Sequence, residues 1–207
     1  MRCLTLANEL RRRGAGIRFV TSAHSGNVIA RVESAGYPVV SLRGADVVDR
    51  PKSGYAHWLC GTQEEDAAET SSALSGTDVD WLVVDHYALD KLWEGAMRSV
   101  AARIMVIDDL ANRAHDCDLL LDVGYYGAHG ETRYRDRVAR SCQQLLGPRY
   151  ALLQPEYARL RAAAPPRDGI ASRAVIFLAR ATRWIILALW CARSPNRILP
   201  KYLLMSS

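Results

Sequence analysis

The sequence has no acidic residue after Asp168, although 22 of its 207 residues are Asp or Glu. Six of its 27 basic residues lie in that acid-free stretch: Arg173, Arg180, Arg183, Arg193, Arg197 and Lys201. The net charge of +5 therefore comes from residues 169–207, and residues 1–168 are nearly neutral. A nearly neutral body excludes a nucleic-acid interface spread over the whole domain, so we expect no nucleic-acid partner.

Paired cysteines and long apolar runs are also missing. The five cysteines form no CxxC pair, which is typical of free thiols in the reducing cytoplasm and argues against a zinc module. We therefore expect a cytoplasmic protein without a bound metal. Arg180 and Arg183 interrupt the most apolar stretch, so we expect no membrane-spanning segment. The first residues lack an apolar core followed by a cleavage site, and we expect no signal peptide.

What the sequence does contain is a regular alternation of helix and strand patterns. Helical spacing of apolar residues predicts helices over residues 2–14, 26–36, 62–74, 89–101, 134–142 and 155–163. Short apolar runs predict strands over residues 16–22, 37–42, 81–84, 103–107, 118–123 and 172–179. Residues 144–153 are predicted to be an extended segment with a turn at Gly147 and Pro148. Residues 43–60 have the composition of a loop. This alternation indicates an α/β fold with a parallel sheet covered on both faces.

The order of the elements also predicts the domain limits. We expect an α/β domain over residues 1–163, a linker over 164–172 and a basic, apolar tail over 173–207. A domain of this kind normally begins with a strand and a Gly-rich turn, which lead into the first helix. Because this sequence begins within the first helix, we expect the domain to lack its first strand and that loop.

The strand over residues 81–84 runs directly into Asp85, His86 and Tyr87. In open α/β sheets, ligands bind beyond the carboxyl ends of the strands, where these side chains are predicted to lie. An imidazole that titrates near neutrality is suited to moving a proton. The alternative is that Asp85 caps the next helix and His86 is an ordinary polar residue, and the spacing alone leaves both interpretations open.

A second polar group, Asp108 and Asp109, follows the next strand along the chain. Paired carboxylates there are suited to acid–base chemistry or to binding sugar hydroxyls, but one of them is equally suited to capping a turn while the other pairs with Arg113. His115 and Cys117 raise the question of a metal site. They have no second ligand pair at a suitable spacing, so we do not expect a metal there.

Read together, these segments resemble the nucleotide-sugar hydrolases of pseudaminic acid synthesis. The matching stretches occur in the family's order over residues 1–161, and they include DWLVVDHYALD, IDDLANRAHDCDLLLD and LLGPRYALLQPEY. The resemblance implies a two-domain fold of the GT-B type, with a Rossmann-like N-terminal domain and the active site in the cleft between domains. It also implies hydrolysis, without metal or cofactor, of UDP-2,4-diacetamido-2,4,6-trideoxy-β-L-altropyranose to UDP and the free sugar.

The resemblance further implies roles for individual residues. Tyr87 falls on the family's active-site tyrosine, and Asp85 and His86 become catalytic candidates by adjacency within the same motif. The substrate-binding candidates are Arg2, Asp108 and Asp109. Arg2 falls on the arginine just after the family's Gly-rich loop, and the two aspartates fall on its paired aspartates.

The sequence departs from the family's pattern in three places. The family's catalytic histidine, the general base that activates water, belongs to a Gly-x-Gly-His loop just before the segment that matches Met1. Val123 and Gly124 stand where the family usually has Gln-Asn. The family's nucleotide-binding domain continues beyond the segment that matches residues 172–177, where this chain has its acid-free tail.

From these departures we expect a truncated copy that is inactive alone, lacks most of the second domain, and has a shifted reading frame near residue 178. A native tail that binds membrane surfaces is an alternative origin for residues 173–207. Two functional alternatives also remain. One is a non-catalytic α/β module that binds a sugar or a protein partner, and the other is one half of a split glycosyltransferase-like enzyme.

Overall fold

The computed structural model describes residues 2–24, 26–43 and 54–165. The chain divides into a compact unit, Met1–Ala163, and a second unit, Ala164–Ser207. The predicted tail, the strand predicted over 172–179 and most of the predicted linker lie outside the described residues, as do residues 44–53 of the predicted loop.

The first part of the compact unit is a small parallel sheet with two helices. Helix α1 (Arg2–Arg12) leads to strand β1 (Phe19–Ser22), and helix α2 (Ile29–Ser34) leads to strand β2 (Val39–Leu42). The two strands pair in parallel, and Ala7 of α1, Val32 of α2 and Tyr37 form a small buried core beside them. A positive φ of 79° at Gly36, just after α2, fits the use of glycine where a helix ends.

A second sheet follows, with four parallel strands in the order β3-β4-β5-β6. Its strands are β3 (Val79–Val84), β4 (Ala101–Ile107), β5 (Leu119–Asp122) and β6 (Gln143–Leu146). Its helices are α3 (Gln63–Leu74), α4 (Lys91–Met97) and α5 (Pro155–Ala163). Single 3₁₀ turns lie over Gly54–Trp58, Gly127–Thr132 and Pro148–Tyr150. The chain is thus an α/β protein with parallel sheets, as the alternation of patterns predicts.

Local sequence signals account for the starts of α3 and α4. Thr62 and Glu65 form a capping box, in which each side chain accepts a hydrogen bond from the other residue's backbone N–H. At α4, the Asp90 carboxylate accepts a hydrogen bond from the Leu92 N–H at 2.9 Å. These caps fix the residue at which each helix begins.

The larger sheet is covered on both faces around its central strands. On one face, Ile104, Val106 and Leu120 pack against Trp93 and Met97 of α4 in the main core. On the other face, a second cluster contains Met105, Ile107 and Leu121, and Cys3 and Leu6 of α1 pack against it. Because α1 also contributes Ala7 to the core beside β1, this helix bridges the two sheets.

A seam separates the two sheets between β1 and β3. Within the described residues, β1 pairs only with β2, and β3 pairs only with β4. Just before the two strands begin, the Arg18 guanidinium donates a hydrogen bond to the Thr77 hydroxyl at 3.3 Å. The two edges thus belong to one compact unit and yet share no ladder hydrogen bonds.

The helix predicted over residues 134–142 is wrong, because that segment forms a series of turns. Tertiary contacts override its helical pattern. The Tyr134 side chain is fully buried, and its hydroxyl lies 2.9 Å from Asp108 Oδ2 and 3.1 Å from Asp122 Oδ2. In addition, the Arg137 carbonyl accepts a hydrogen bond from the His115 N–H at 2.7 Å, so this carbonyl bonds to another segment and not to a residue of a helix.

Candidate functional site

The candidate site lies at the carboxyl ends of β3 and β4. Asp85, His86 and Tyr87 follow the last residue of β3, and Asp108 and Asp109 follow the last residue of β4. These strands are neighbours in a parallel sheet, so both polar groups lie at the same edge. Packing of α1 across that sheet brings a sixth predicted residue, Arg2, to the same edge.

Arg2 links the two groups. Its Nε lies 3.1 Å from both Asp85 carboxylate oxygens, and its Nη2 lies 2.6 Å from Asp85 Oδ1. Its Nη1 lies 3.6 Å from Asp109 Oδ2. The hydrogen bonds to Asp85 raise the pKa of Arg2 further, and the guanidinium stays charged. A forked contact of this kind fixes the orientation of both side chains.

Tyr87 stays protonated over the whole physiological range. Burial, followed by the hydrogen bond and the negative charge of Asp109, raises the pKa of Tyr87 to about 12. A phenol that holds its proton is a hydrogen-bond donor, and Tyr87 can transfer the hydrogen bond that it makes to Asp109 to an oxygen of a bound molecule.

His86 is held in one orientation by its own loop. Its Nδ1 accepts a hydrogen bond from the Ala88 N–H at 3.2 Å, and its carbonyl accepts one from Arg113 at 3.3 Å. Burial lowers the pKa of His86, with a smaller contribution in the same direction from nearby His24. The neutral ring therefore carries its proton on Nε2, because Nδ1 must present its lone pair to Ala88.

These side chains surround a pocket of about 370 Å³, which is lined by Arg2, Trp58, Asp85, His86 and Tyr87. This volume is within the range of small-molecule sites. Trp58 belongs to the 3₁₀ turn Gly54–Trp58, inside the segment predicted only as loop. The sequence analysis missed it, although three aromatic rings within the four residues YAHW were a visible signal.

Asp108 and Asp109 are neighbours in the sequence but have different surroundings in the structure. Asp109 is partly exposed and pairs with Arg2, whereas Asp108 has no exposed surface. The Asp108 carboxylate accepts a hydrogen bond from the Ala111 N–H at 2.9 Å and lies 2.8 Å from Arg113 Nη1. Burial alone would raise the pKa of Asp108, but the Ala111 hydrogen bond and the Arg113 charge outweigh it and lower that pKa. Of the two interpretations, the structure favours the turn cap over the pair of carboxylates that faces one crevice. Asp108 both caps the turn and pairs with Arg113, whereas its neighbour was expected to make that pair.

Behind Asp108 lies a buried polar network that was not predicted. The His115 Nδ1 lies 2.7 Å from Glu94 Oε1, and the Asp116 N–H donates to Glu94 Oε2 at 2.6 Å. On its other side, the His115 Nε2 lies 3.9 Å from Asp108 Oδ2. Glu94 and His115 have fully buried side chains, so this network belongs to the interior. Arg113 connects it to the pocket, because Arg113 pairs with Asp108 and donates a hydrogen bond to the His86 carbonyl.

Cys117 lies beside this network with its Sγ 3.6 Å from that of Cys142, and both thiols are buried. Residues 2–24, 26–43 and 54–165 contain no group of three or more His, Cys, Asp or Glu side chains placed to hold a metal ion. Within the same part of the chain, no helix is long and apolar enough to cross a membrane.

The fold and the pocket define the class of protein: an α/β protein of the Rossmann-like kind, with a polar and aromatic pocket at the carboxyl edge of its larger parallel sheet. In comparisons with known proteins, the chain matches no protein-family model and no curated protein.

Proposed function

We propose that the chain forms the N-terminal part of a hydrolase that acts on UDP-2,4-diacetamido-2,4,6-trideoxy-β-L-altropyranose. One observation carries the proposal: Arg2, Asp85 and Tyr87 converge on a single pocket at the strand ends, although Arg2 is distant from the other two in sequence, and Asp109 pairs with Arg2 beside it. The resemblance assigns Arg2, Tyr87 and Asp109 to the family's active site, and Asp85 belongs to the same motif as Tyr87. In the reaction, water adds to the anomeric carbon, the bond to the diphosphate oxygen breaks, and UDP and the free sugar are released.

The geometry suggests how this half of the site contributes. Tyr87 is a permanent donor that can hold an oxygen of the sugar, and the Asp109 carboxylate can accept from a hydroxyl or an amide N–H. Arg2 keeps Asp85 and Asp109 in fixed positions through its forked contact. Holding the sugar in one orientation is a large part of what such a site must do for hydrolysis.

The general base must come from elsewhere. The His86 Nδ1 is occupied by the Ala88 N–H, and its Nε2 carries the ring proton, so no lone pair faces the pocket. The resemblance places the base in a Gly-x-Gly-His loop after a strand that precedes α1. The seam between β1 and β3 supports this arrangement, because one further parallel strand there would join the two sheets of this GT-B-like domain.

A second candidate is a non-catalytic module that binds a sugar. The observation that favours it is that no described group in the pocket is free to act as a base. Arg2 is paired with Asp85 and Asp109, and the His86 Nδ1 already accepts a hydrogen bond from the Ala88 N–H. Such a module would bind the free sugar and would release no UDP in any extended form. An active enzyme assembled from separate halves would release UDP only when the second half is added.

Release of UDP from the altropyranose substrate tests the proposal. We expect none above background from residues 1–207 alone, because general-base assistance contributes about 10²–10⁴-fold and the nucleotide must also be held. We expect activity once a strand with its Gly-x-Gly-His loop and a nucleotide-binding domain of the family are joined to the chain. Adding the loop alone should not restore it.

In the active form, Tyr87→Phe should lower kcat by about 10²-fold, since it removes a donor to the sugar. Tyr125→Phe is the matched control, because Tyr125 is 82% exposed and should leave the rate unchanged. The proposal fails if the completed chain releases no UDP although it folds and binds the nucleotide, or if Tyr87→Phe has no more effect than Tyr125→Phe.

A further inference from the structure

Two buried thiols meet at the amino ends of β5 and β6, on the edge of the larger sheet opposite the pocket. Cys117 comes two residues before β5, and Cys142 comes immediately before β6. Their Sγ atoms lie 3.6 Å apart, so one thiol donates a hydrogen bond to the other. Both cysteines are free, and the described part of the chain contains no group of three or more ligands that could hold a metal. A metal therefore does not account for the pair.

The backbone of the two strands holds the cysteines close together. β5 and β6 pair in parallel with Leu119 opposite Gln143, and the Asp118 carbonyl accepts a hydrogen bond from the Gln143 N–H at 2.9 Å. Asp118 and Gln143 are the residues that directly follow the two cysteines, so this hydrogen bond fixes the strands beside the thiols. Side-chain movement is then what must close the gap from 3.6 Å to the length of an S–S bond, about 2 Å.

The two thiols differ in reactivity. The hydrogen bond from Cys117 lowers the pKa of Cys142, whereas the same hydrogen bond, followed by burial, raises the pKa of Cys117. Cys142 is also the easier to reach, because Ser141 and Gln143 on either side of it are exposed. Since the thiolate is the form that oxidants attack, Cys142 is the sulfur that reacts first.

We infer that Cys117 and Cys142 form a reversible disulfide when a hydroperoxide oxidises the folded protein. The Cys142 thiolate attacks one peroxide oxygen, the O–O bond breaks, and the other oxygen leaves as water or an alcohol after it takes up the proton that the Cys142 thiol lost. The Cys117 sulfur then attacks the sulfenic acid on Cys142. The S–O bond breaks, and water leaves with the Cys117 proton. The two thiols lose two electrons, and the hydroperoxide gains them.

The disulfide closes β5 and the crossover that leads to β6 into a covalent loop. That crossover carries Tyr134, whose hydroxyl contacts Asp108 and Asp122 at the other end of the strands. A cross-link restricts the unfolded chain, so the oxidised protein is the more stable form. We expect its equilibrium constant for unfolding to be about 100-fold lower than that of the reduced protein. This consequence does not depend on the proposed function.

Peptide mapping of the 207-residue chain after treatment with hydrogen peroxide tests the inference. The remaining thiols are alkylated, and trypsin then releases Cys117 in peptide 114–133 and Cys142 in peptide 141–149. We expect these two peptides to be cross-linked, with the loss of two hydrogen atoms, and to be separated by dithiothreitol. Urea unfolding of the oxidised and reduced forms compares their stabilities without any substitution.

Alanine variants separate the roles of the two thiols. In Cys117→Ala, Cys142 should stop at the sulfenic acid and be trapped by dimedone, whereas in Cys142→Ala, Cys117 should remain a thiol. Cys60→Ala is the matched control, because the Cys60 thiol donates a hydrogen bond to the Arg43 carbonyl at 3.1 Å and not to Cys117 or Cys142. This variant should form the cross-link like the unchanged chain.

Recovery of both cysteines as thiols from the folded, peroxide-treated chain would overturn the inference. So would a cross-link that forms only in urea, a link from Cys117 or Cys142 to a different cysteine, or equal urea midpoints for the reduced and cross-linked forms. None of these measurements involves UDP release, so a failure of this inference is distinguishable from a failure of the proposed function.

Discussion

Asp108 and Asp109 are neighbours in the sequence, but they belong to two different regions of the molecule. Asp109 lies beside the strand-end pocket and pairs with Arg2 of the pocket wall, where side chains remain partly exposed and can meet a ligand. Asp108 lies in the buried network, where it pairs with Arg113 and accepts a hydrogen bond from the Ala111 N–H. The pocket has the properties of a binding site, and the network has those of a support that holds the ends of β4 and β5 in place.

The largest expected effect comes from breaking the buried network. Glu94→Ala removes the acceptor of hydrogen bonds from the His115 ring and the Asp116 N–H, and it leaves the buried His115 ring without that partner. We expect the free energy of unfolding to fall by about 3 kcal/mol, measured by urea denaturation.

Glu9→Ala is the control for that experiment. Glu9 also pairs with two side chains, Arg12 and Arg13, but it does so on the solvent side of α1. Exposed ion pairs contribute little to stability, so this variant should unfold at the same urea concentration as the unchanged chain. Equal losses from the two substitutions would show that the Glu94 network is not a special support.

The existence of the pocket could be predicted from the sequence, and the existence of the network could not. Strand ends followed by polar residues recur at neighbouring positions along the chain, and parallel pairing then brings Asp85 and Asp109 to one edge. Nothing local distinguishes Asp108 from Asp109. Which of them faces inward depends on Tyr134, which lies 26 residues away and in a segment wrongly predicted to be a helix.

Trp58 and the bridging role of α1 show the same limit. Irregular loops have no periodicity, so the sequence pattern could not place the 3₁₀ turn Gly54–Trp58 against Tyr87. The position of Arg2 beside Asp85 depends on α1 packing across the second sheet, which is a contact between residues more than 80 positions apart. Its place in the site was expected from the resemblance and not from any local signal.

A smaller effect on stability should come from the titration of His86 in the pocket. Burial lowers the pKa of His86 below its ordinary 6.5. The unfolded chain therefore binds this proton more readily than the folded one, and stability falls as the pH drops through and below about 6.5. His86→Asn keeps an acceptor for the Ala88 N–H and does not titrate.

Thermal unfolding at about pH 7.5 and about pH 5.5 measures this difference. We expect the unchanged chain to lose more stability than His86→Asn over that interval, by up to about 1 kcal/mol. If the two chains lose the same amount, the His86 ring is not held neutral in the folded state.

The division between pocket and network is tested most directly by removing one hydroxyl from each region. Tyr134→Phe takes a buried hydroxyl from Asp108 and Asp122, and Tyr87→Phe takes one from the edge of the pocket. The free energy of unfolding and the affinity for the free sugar are measured for both. We expect Tyr134→Phe to lose about 1–2 kcal/mol of stability and to keep its sugar affinity. Tyr87→Phe should lose about 0.5 kcal/mol or less and bind the sugar several-fold more weakly. Equal losses of stability, or sugar binding that depends on Tyr134 and not on Tyr87, would contradict the account.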